Sequence, residues 1–263
     1  MKIPYFVVDA FTGRRFGGNP AGVCLLESWL PDGVMQDIAA ENNLSETAFV
    51  VKRGADFDLR WFTPAIEMDL AGHPTLAAAF ILFTERAAGN GPLRFHSRSG
   101  LLTVTQETGV MTLDLPSRPA TPCDTPAALL RGLGRPPVAV LKSRDYLAVF
   151  ESAADVRGLR PDFAALKTLD CLGIIATAPG EDCDFVSRFF APAAGVDEDP
   201  VTGSAHCSLT PYWAERLGKP ALRARQVSRR GGELFCQTAG ARVRLGGKAV
   251  LYSRGQIEID QIA

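Results

Sequence analysis

The sequence predicts an α+β fold of two pseudo-symmetric lobes, each a mostly antiparallel, barrel-like sheet around one central helix. The run Leu76-Ala77-Ala78-Ala79-Phe80-Ile81-Leu82 is apolar on every side, as a helix enclosed by other elements must be. Half a chain later its surroundings recur. Phe62-Thr63-Pro64 ahead of Gly72-His73-Pro74-Thr75 is echoed by Phe190-Ala191-Pro192 ahead of Thr202-Gly203-Ser204-Ala205-His206. Strands, one buried helix and strands again, twice over, is the pattern of a duplicated α+β unit.

Lys2 to Phe11 is rich in β-formers, and Gly13, Gly17, Gly18, Asn19 and Pro20 mark a long turn before the strand Ala21 to Leu26. Asp32 to Asn42 places Val34, Met35, Ile38 and Ala39 at helical spacing, which predicts an amphipathic surface helix. Thr47 to Val51 and Asp56 to Thr63 read as strands. Asp69-Leu70-Ala71 then feeds the central helix, with Pro74 in its first turn, where a missing N–H costs nothing. Strands around 93–95, 100–106 and 110–115 close the first half. Pro116-Ser117-Arg118-Pro119-Ala120-Thr121-Pro122 is a proline-rich linker, so the lobes are expected at 1–117 and 118–263, with the last strand of the chain able to pack on the first lobe. The second half repeats the order: strands at 138–141 and 146–150, a helical stretch at 163–166, strands at 171–177 and 184–190, and a helix at 202–217. Glycine-punctuated hairpins follow.

With 263 residues, 46% of them hydrophobic, the chain can bury a substantial core. A formal charge of -1 without a run of like charges argues against nucleic acid and an anionic membrane as partners. No apolar run approaches a membrane span, and Asp9 interrupts the N-terminus too early for a signal peptide, so a cytoplasmic location is expected. The cysteines at 24, 123, 171, 183, 207 and 236 show no C-x-x-C spacing and read as reduced. His73, His96 and His206 form no cluster with them at ligand spacing, and no metal site is expected.

Two helix starts facing one cleft would form a small-molecule site, since a helix start binds anions. His73 there is expected neutral, because the positive helix end disfavours imidazolium. Asp199 reads equally well as a helix cap. Ser204, with the Gly203 and Ser204 amides, is a plausible cradle for a substrate carboxylate. Ser45-Glu46 by itself reads as an exposed turn.

Asp9-Ala10-Phe11 with Gly17-Gly18-Asn19-Pro20-Ala21, Asn43-Leu44-Ser45-Glu46-Thr47-Ala48-Phe49, Ala71-Gly72-His73-Pro74-Thr75 and Asp199-Pro200-Val201-Thr202-Gly203-Ser204-Ala205 resemble the PhzF-like (phenazine biosynthesis) family. The resemblance runs from Asp9 to the terminal strands. It implies the two-lobed diaminopimelate epimerase fold and a cofactor-independent isomerase, usually a homodimer, whose namesake moves a proton within a dihydro-hydroxyanthranilate ring. Matched residue by residue, Glu46 takes the place of the acid/base glutamate, with His73 and Asp199 completing the catalytic set. Asn19, Gly72, Gly203 and Ser204 are then the substrate-binding residues. The tail segment Arg229-Arg230-Gly231-Gly232-Glu233-Leu234-Phe235 keeps a glycine turn but lacks the Gly-Arg-Pro-Ser that often follows in relatives.

The expected reaction is a proton shift in a small cyclic or carboxylate-bearing metabolite. A single carboxyl in an apolar pocket, its pKa raised by burial, suffices to take a proton from carbon and return it elsewhere. Two alternatives stand beside this reading. One is a racemase or epimerase-like enzyme that works without cysteines. Its cysteine-dependent counterparts resemble Cys-Gly-His or Cys-Gly-Ser at the two helix starts, where this chain has Ala71-Gly72-His73 and Thr202-Gly203-Ser204. The other is a non-catalytic small-molecule binding protein of the same fold.

Overall fold

The computed structural model describes residues 1–85 and 91–260. They form two compact units, Met1–Asp114 with the segment from Gly246 on, and Leu115–Leu245. The second unit therefore ends at Leu245 rather than at the C-terminus. The first boundary also precedes the proline-rich linker. Thr121–Pro122 of that linker is a short strand paired with Leu141 and Lys142, so the linker joins the second unit's sheet as an edge, where proline costs no ladder bond.

In the first unit β1 (Lys2–Ala10) pairs antiparallel with β2 (Asn19–Leu26) on one side and with the terminal strand Ala249–Glu258 on the other. Helix α1 (Asp32–Asn42) carries the chain across to β3 (Glu46–Arg53), which lies parallel to β2. Asn43 ends that helix in the left-handed conformation at φ 47°, a role asparagine fills readily. Next comes β4 (Asp56–Phe62), antiparallel to β3, with the short β5 (Glu67–Met68) folded against it. Helix α2 (Gly72–Thr84) then crosses over to β6 (Leu93–Ser97), parallel to β4, and β7 (Gly100–Glu107) and β8 (Val110–Pro116) complete a meander. The sheet curls around α2, which packs on β1, β2, β3 and the terminal strand. Gly72 to Ala79 are all buried, as the unbroken apolar run predicts.

The second unit repeats these pairings in the same order. Its strands are β9 (Thr121–Pro122), β10 (Ala139–Lys142) and β11 (Tyr146–Val149), each antiparallel to the one before. Helix α3 (Ala127–Leu133) lies between β9 and β10 and packs on α5 (Phe163–Leu166). Helices α4 (Ala153–Gly158) and α5 connect β11 to the parallel β12 (Ile174–Pro179). Strand β13 (Phe185–Ala191) is antiparallel to β12, with β14 (Val196–Asp199) folded on it as β5 is on β4. Helix α6 (His206–Leu217) crosses to β15 (Ala221–Gln226), parallel to β13, followed by the antiparallel β16 (Gly232–Ala239) and then β17 (Arg242–Gly247). The duplication read from two short motifs thus extends through the pairing pattern of both units.

Helix α6 starts at His206, four residues later than the sequence suggests. Gly203, Ser204 and Ala205 instead form a tight turn whose carbonyls accept from His206, Cys207 and Ser208 at 3.0–3.2 Å. The cause of a second irregularity is Pro211, which cannot donate to the Cys207 carbonyl one turn back. The Arg118 N–H takes that acceptor at 2.9 Å, and the Ser208 hydroxyl donates to the Arg118 carbonyl at 2.6 Å. The proline therefore opens a docking point on the helix for the segment after β8. Among the described residues, no helix is long and apolar enough to cross a membrane.

Candidate active site

In the first unit four sequence-predicted residues come together. Asn19 opens β2, Glu46 opens the parallel β3, and the register sets Glu46 beside Ala21. Gly72 and His73 begin α2, whose first turn is buried. The loop that delivers Asn19 is shaped by Asp9, whose carboxylate accepts from the Phe16 N–H at 2.9 Å. Glu46 Oε2 lies 3.5 Å from His73 Nδ1, and the two side chains are 12% and 3% exposed. Those figures rule out the exposed-turn reading of Ser45-Glu46. His73 Nδ1 also meets Asn19 Nδ2 at 3.1 Å, and His73 Nε2 meets Ser45 Oγ at 3.4 Å. The Ser45 hydroxyl lies 2.7 Å from Asn19 Oδ1, which closes a ring of three side chains, the imidazole among them.

Burial pushes the His73 pKa down to about 3. At neutral pH the contact with Glu46 is therefore a meeting of a carboxyl group with an uncharged ring, although its distance alone would pass for an ion pair. A neutral imidazole there places no positive charge beside the largely buried carboxyl group.

In the second unit, Asp199 ends β14, and Gly203 and Ser204 occupy the turn before α6. The Thr202 hydroxyl donates to Asp199 Oδ2 at 2.5 Å. The N-cap of α6 is Ala205, with no side-chain cap, so the capping role considered for Asp199 is not what holds it. Gln226, at the end of β15 and 1% exposed, holds this loop instead. Its Oε1 accepts from the Thr202 N–H at 2.8 Å, while Nε2 donates to the Asp199 carbonyl at 2.7 Å and to Thr202 Oγ1 at 3.2 Å. Removing it as Gln226→Ala strands buried backbone groups on two residues and is expected to cost about 2–4 kcal/mol. Urea denaturation measures this; a loss under about 0.5 kcal/mol would show that the loop is held by other means.

Arg144 NH2 donates to Ser204 Oγ at 3.2 Å and to Asp145 Oδ2 at 3.0 Å. A guanidinium only donates, so the Ser204 oxygen is an acceptor there and its own proton is directed elsewhere. The Ser143 and Ser208 hydroxyls meet at 3.2 Å in the same neighbourhood. Neither Gln226 nor Arg144 carried a motif. Arg144 lies in the short turn between β10 and β11, and a polar Gln ending an otherwise half-buried strand was the only hint of the other. Three further side chains in these units have visible structural roles. Arg188 forms a bidentate pair with Glu198 and donates to the Val156 and Leu159 carbonyls; Thr47 accepts from Asn42; Met68 is buried on β5.

His206 is fully buried, and its Nδ1 lies 2.8 Å from the Thr202 carbonyl, which fixes the proton on Nδ1. Burial brings its pKa down to about 4. A depressed histidine pKa means that the unfolded chain binds the proton more tightly. Stability is then full above about pH 6.5 and falls by roughly 1.4 kcal/mol per pH unit for each such histidine as pH drops toward the folded-state value. His206→Asn keeps a donor for the Thr202 carbonyl and removes the titration, so urea midpoints between pH 7 and 5 should decline less steeply in that variant. An unchanged slope would refute the assignment.

All six cysteines are free. Burial pushes the Cys207 and Cys236 thiols up to about 12, and Cys24 is likewise raised by burial. Among the described residues no group of three or more His, Cys, Asp or Glu side chains could hold a metal ion.

A family model described as phenazine biosynthesis-like protein matches residues 8–255. The chain belongs to that family. Two relatives of this chain are uncharacterized isomerases of Pseudomonas aeruginosa, 54% and 51% identical, with alignments covering 98% of this chain and 100% of each relative. A crystal structure of a PhzF family phenazine biosynthesis protein from Enterococcus faecalis is 46% identical and superposes with a TM-score of 0.93, covering 98% of this chain and 100% of the other. The α+β, diaminopimelate epimerase-like architecture expected from the sequence is the fold this family shares.

Proposed function

We propose that this protein is a cofactor-independent isomerase that moves a proton between carbons of a small cyclic or carboxylate-bearing metabolite, with Glu46 as the acid/base. The observation that carries the reading is the placement of the Glu46 carboxyl, 12% exposed, 3.5 Å from a buried, neutral His73. A carboxylate there can take a proton from a substrate carbon, leaving the electron pair to delocalise toward the metabolite's unsaturated system. The resulting carboxylic acid returns the proton at another carbon, so the enzyme ends as it began.

In this reading Asp199 joins His73 in the catalytic set, while Asn19, Gly72, Gly203 and Ser204 bind the substrate. The Arg144 contact, which directs the Ser204 hydroxyl proton away from the guanidinium, suits Ser204 to donate to a substrate carboxylate. The protein acts as a homodimer in the cytoplasm, on a substrate that need not belong to phenazine synthesis. Its relatives' names support the reaction class and leave the substrate open. The buried thiols with raised pKa values favour a carboxyl carrier over a thiolate pair.

The test is incubation with a panel of small unsaturated cyclic acids in deuterated water, scored for deuterium on carbon. Exchange catalysed by the protein, abolished in Glu46→Gln and indifferent to iodoacetamide, is the expected result. Exchange lost on alkylation would establish cysteine chemistry. Ligand binding without exchange, unaltered in Glu46→Gln, would identify a binding protein.

A further inference from the structure

We propose that Ser45 and Asn19 are positioning residues that lock His73 in the Nε2–H tautomer, so that the imidazole never presents Glu46 with a proton. The inference rests on Glu46 as proton carrier for its functional meaning, and on the ring of contacts for its geometry. Ser45 Oγ and Asn19 Oδ1 are 2.7 Å apart, the usual length of an O–H···O hydrogen bond, so the serine donates and the amide oxygen accepts. The amide nitrogen then faces His73 Nδ1 at 3.1 Å and can only donate, which makes Nδ1 an acceptor without a proton. The single ring proton of a neutral imidazole must therefore sit on Nε2, where the Ser45 oxygen accepts it at 3.4 Å. Every donor in the ring meets an acceptor in one sense of circulation.

Reversing that circulation requires the Asn19 amide to turn over, and it would place the His73 proton on Nδ1, 3.5 Å from Glu46 Oε2. The carboxylate would then gain a donor. In the sense these contacts define, Nδ1 is already occupied by Asn19 and the ring proton faces away from Glu46. A proton taken up by Glu46 has no vacant base at His73 to pass to and stays on the carboxyl until it returns to substrate. Ser45 and Asn19 thus keep His73 from competing for the transferred proton, without touching the reacting atoms.

The chain has three histidines, so a long-range proton–nitrogen correlation spectrum of uniformly ¹⁵N-labelled protein at pH 7 resolves them individually. His206, whose proton is fixed on Nδ1 by the Thr202 carbonyl, supplies an internal reference of the opposite tautomer. His73 is expected to show a pyridine-like Nδ1 and a pyrrole-like Nε2. Ser45→Ala should shift both signals toward the average of a tautomer mixture, and Ser45→Thr, which keeps the hydroxyl, should restore them. Asn19→Asp offers only acceptors at neutral pH and should transfer the proton to Nδ1. A wild-type His73 protonated on Nδ1, or one whose tautomer ignores Ser45→Ala in a folded protein, overturns the proposal. If the tautomer is as stated while Glu46→Gln leaves exchange intact, the lock stands and the isomerase mechanism fails.

Discussion

Glu46→Gln is expected to abolish carbon-bound proton exchange, with a loss of at least ~10²- to 10⁴-fold, the range associated with removing a positioned general acid/base. Glutamine is nearly isosteric with the carboxyl and keeps a hydrogen-bonding group 3.5 Å from His73 Nδ1, so the change removes the proton acceptor and little else. Affinity for a bound acid should change by much less than turnover, because the loss falls on the transition state. The measurement is deuterium incorporation per unit time, with far-ultraviolet circular dichroism confirming the fold. A residual rate within about tenfold of wild type would mean that Glu46 is not the carrier.

Gly18→Ala should have a large structural effect for a single methyl addition near the site. Gly18 sits at φ +61°, a left-handed conformation that costs an L-residue about 1–2 kcal/mol. An added Cβ would also lie 2.1 Å from the Ala10 carbonyl oxygen, a backbone atom that cannot rotate away. Ala10 pairs with Asn19 at the open end of the β1–β2 ladder, so relief of the clash must displace Asn19, and with it the amide that holds His73. The combined cost is expected at about 2–4 kcal/mol. Gly54→Ala is the matched control, since Gly54 has φ +60° and open space around it. Urea midpoints of the two variants separate conformational strain from collision. Equal losses would show that the backbone at Ala10 accommodates the methyl group.

The two substitutions show which features were legible in the chain. The apolar run of α2 and the glycine-rich turn before Asn19 act locally, so the helix, the turn and the strand after it follow from period and backbone freedom. The duplication was legible because both halves carry the same local signals in the same order. Even so, the start of α6 was misplaced by one turn, since Thr202-Gly203-Ser204 satisfies helix-start chemistry and tight-turn chemistry equally well. The terminal segment posed a different problem. Its pairing with β1 joins residues about 250 positions apart (Lys2 with Glu258), and hairpin signals in the tail are silent about such a partner.

Residue identity alone determined the fold class and the motif residues Asn19, Glu46, Gly72, His73, Asp199, Gly203 and Ser204. What only the tertiary structure decided is their condition. Glu46 passes from a presumed surface turn to a largely buried carboxyl because the parallel register of β2 and β3 carries it under α2's first turn. His73 is neutral because the helix that bears it is enclosed, and desolvation disfavours its charge. The partners Ser45, Gln226 and Arg144 belong to the same category: hydrogen-bond direction is a property of three or four groups meeting in space, and no linear spacing encodes it.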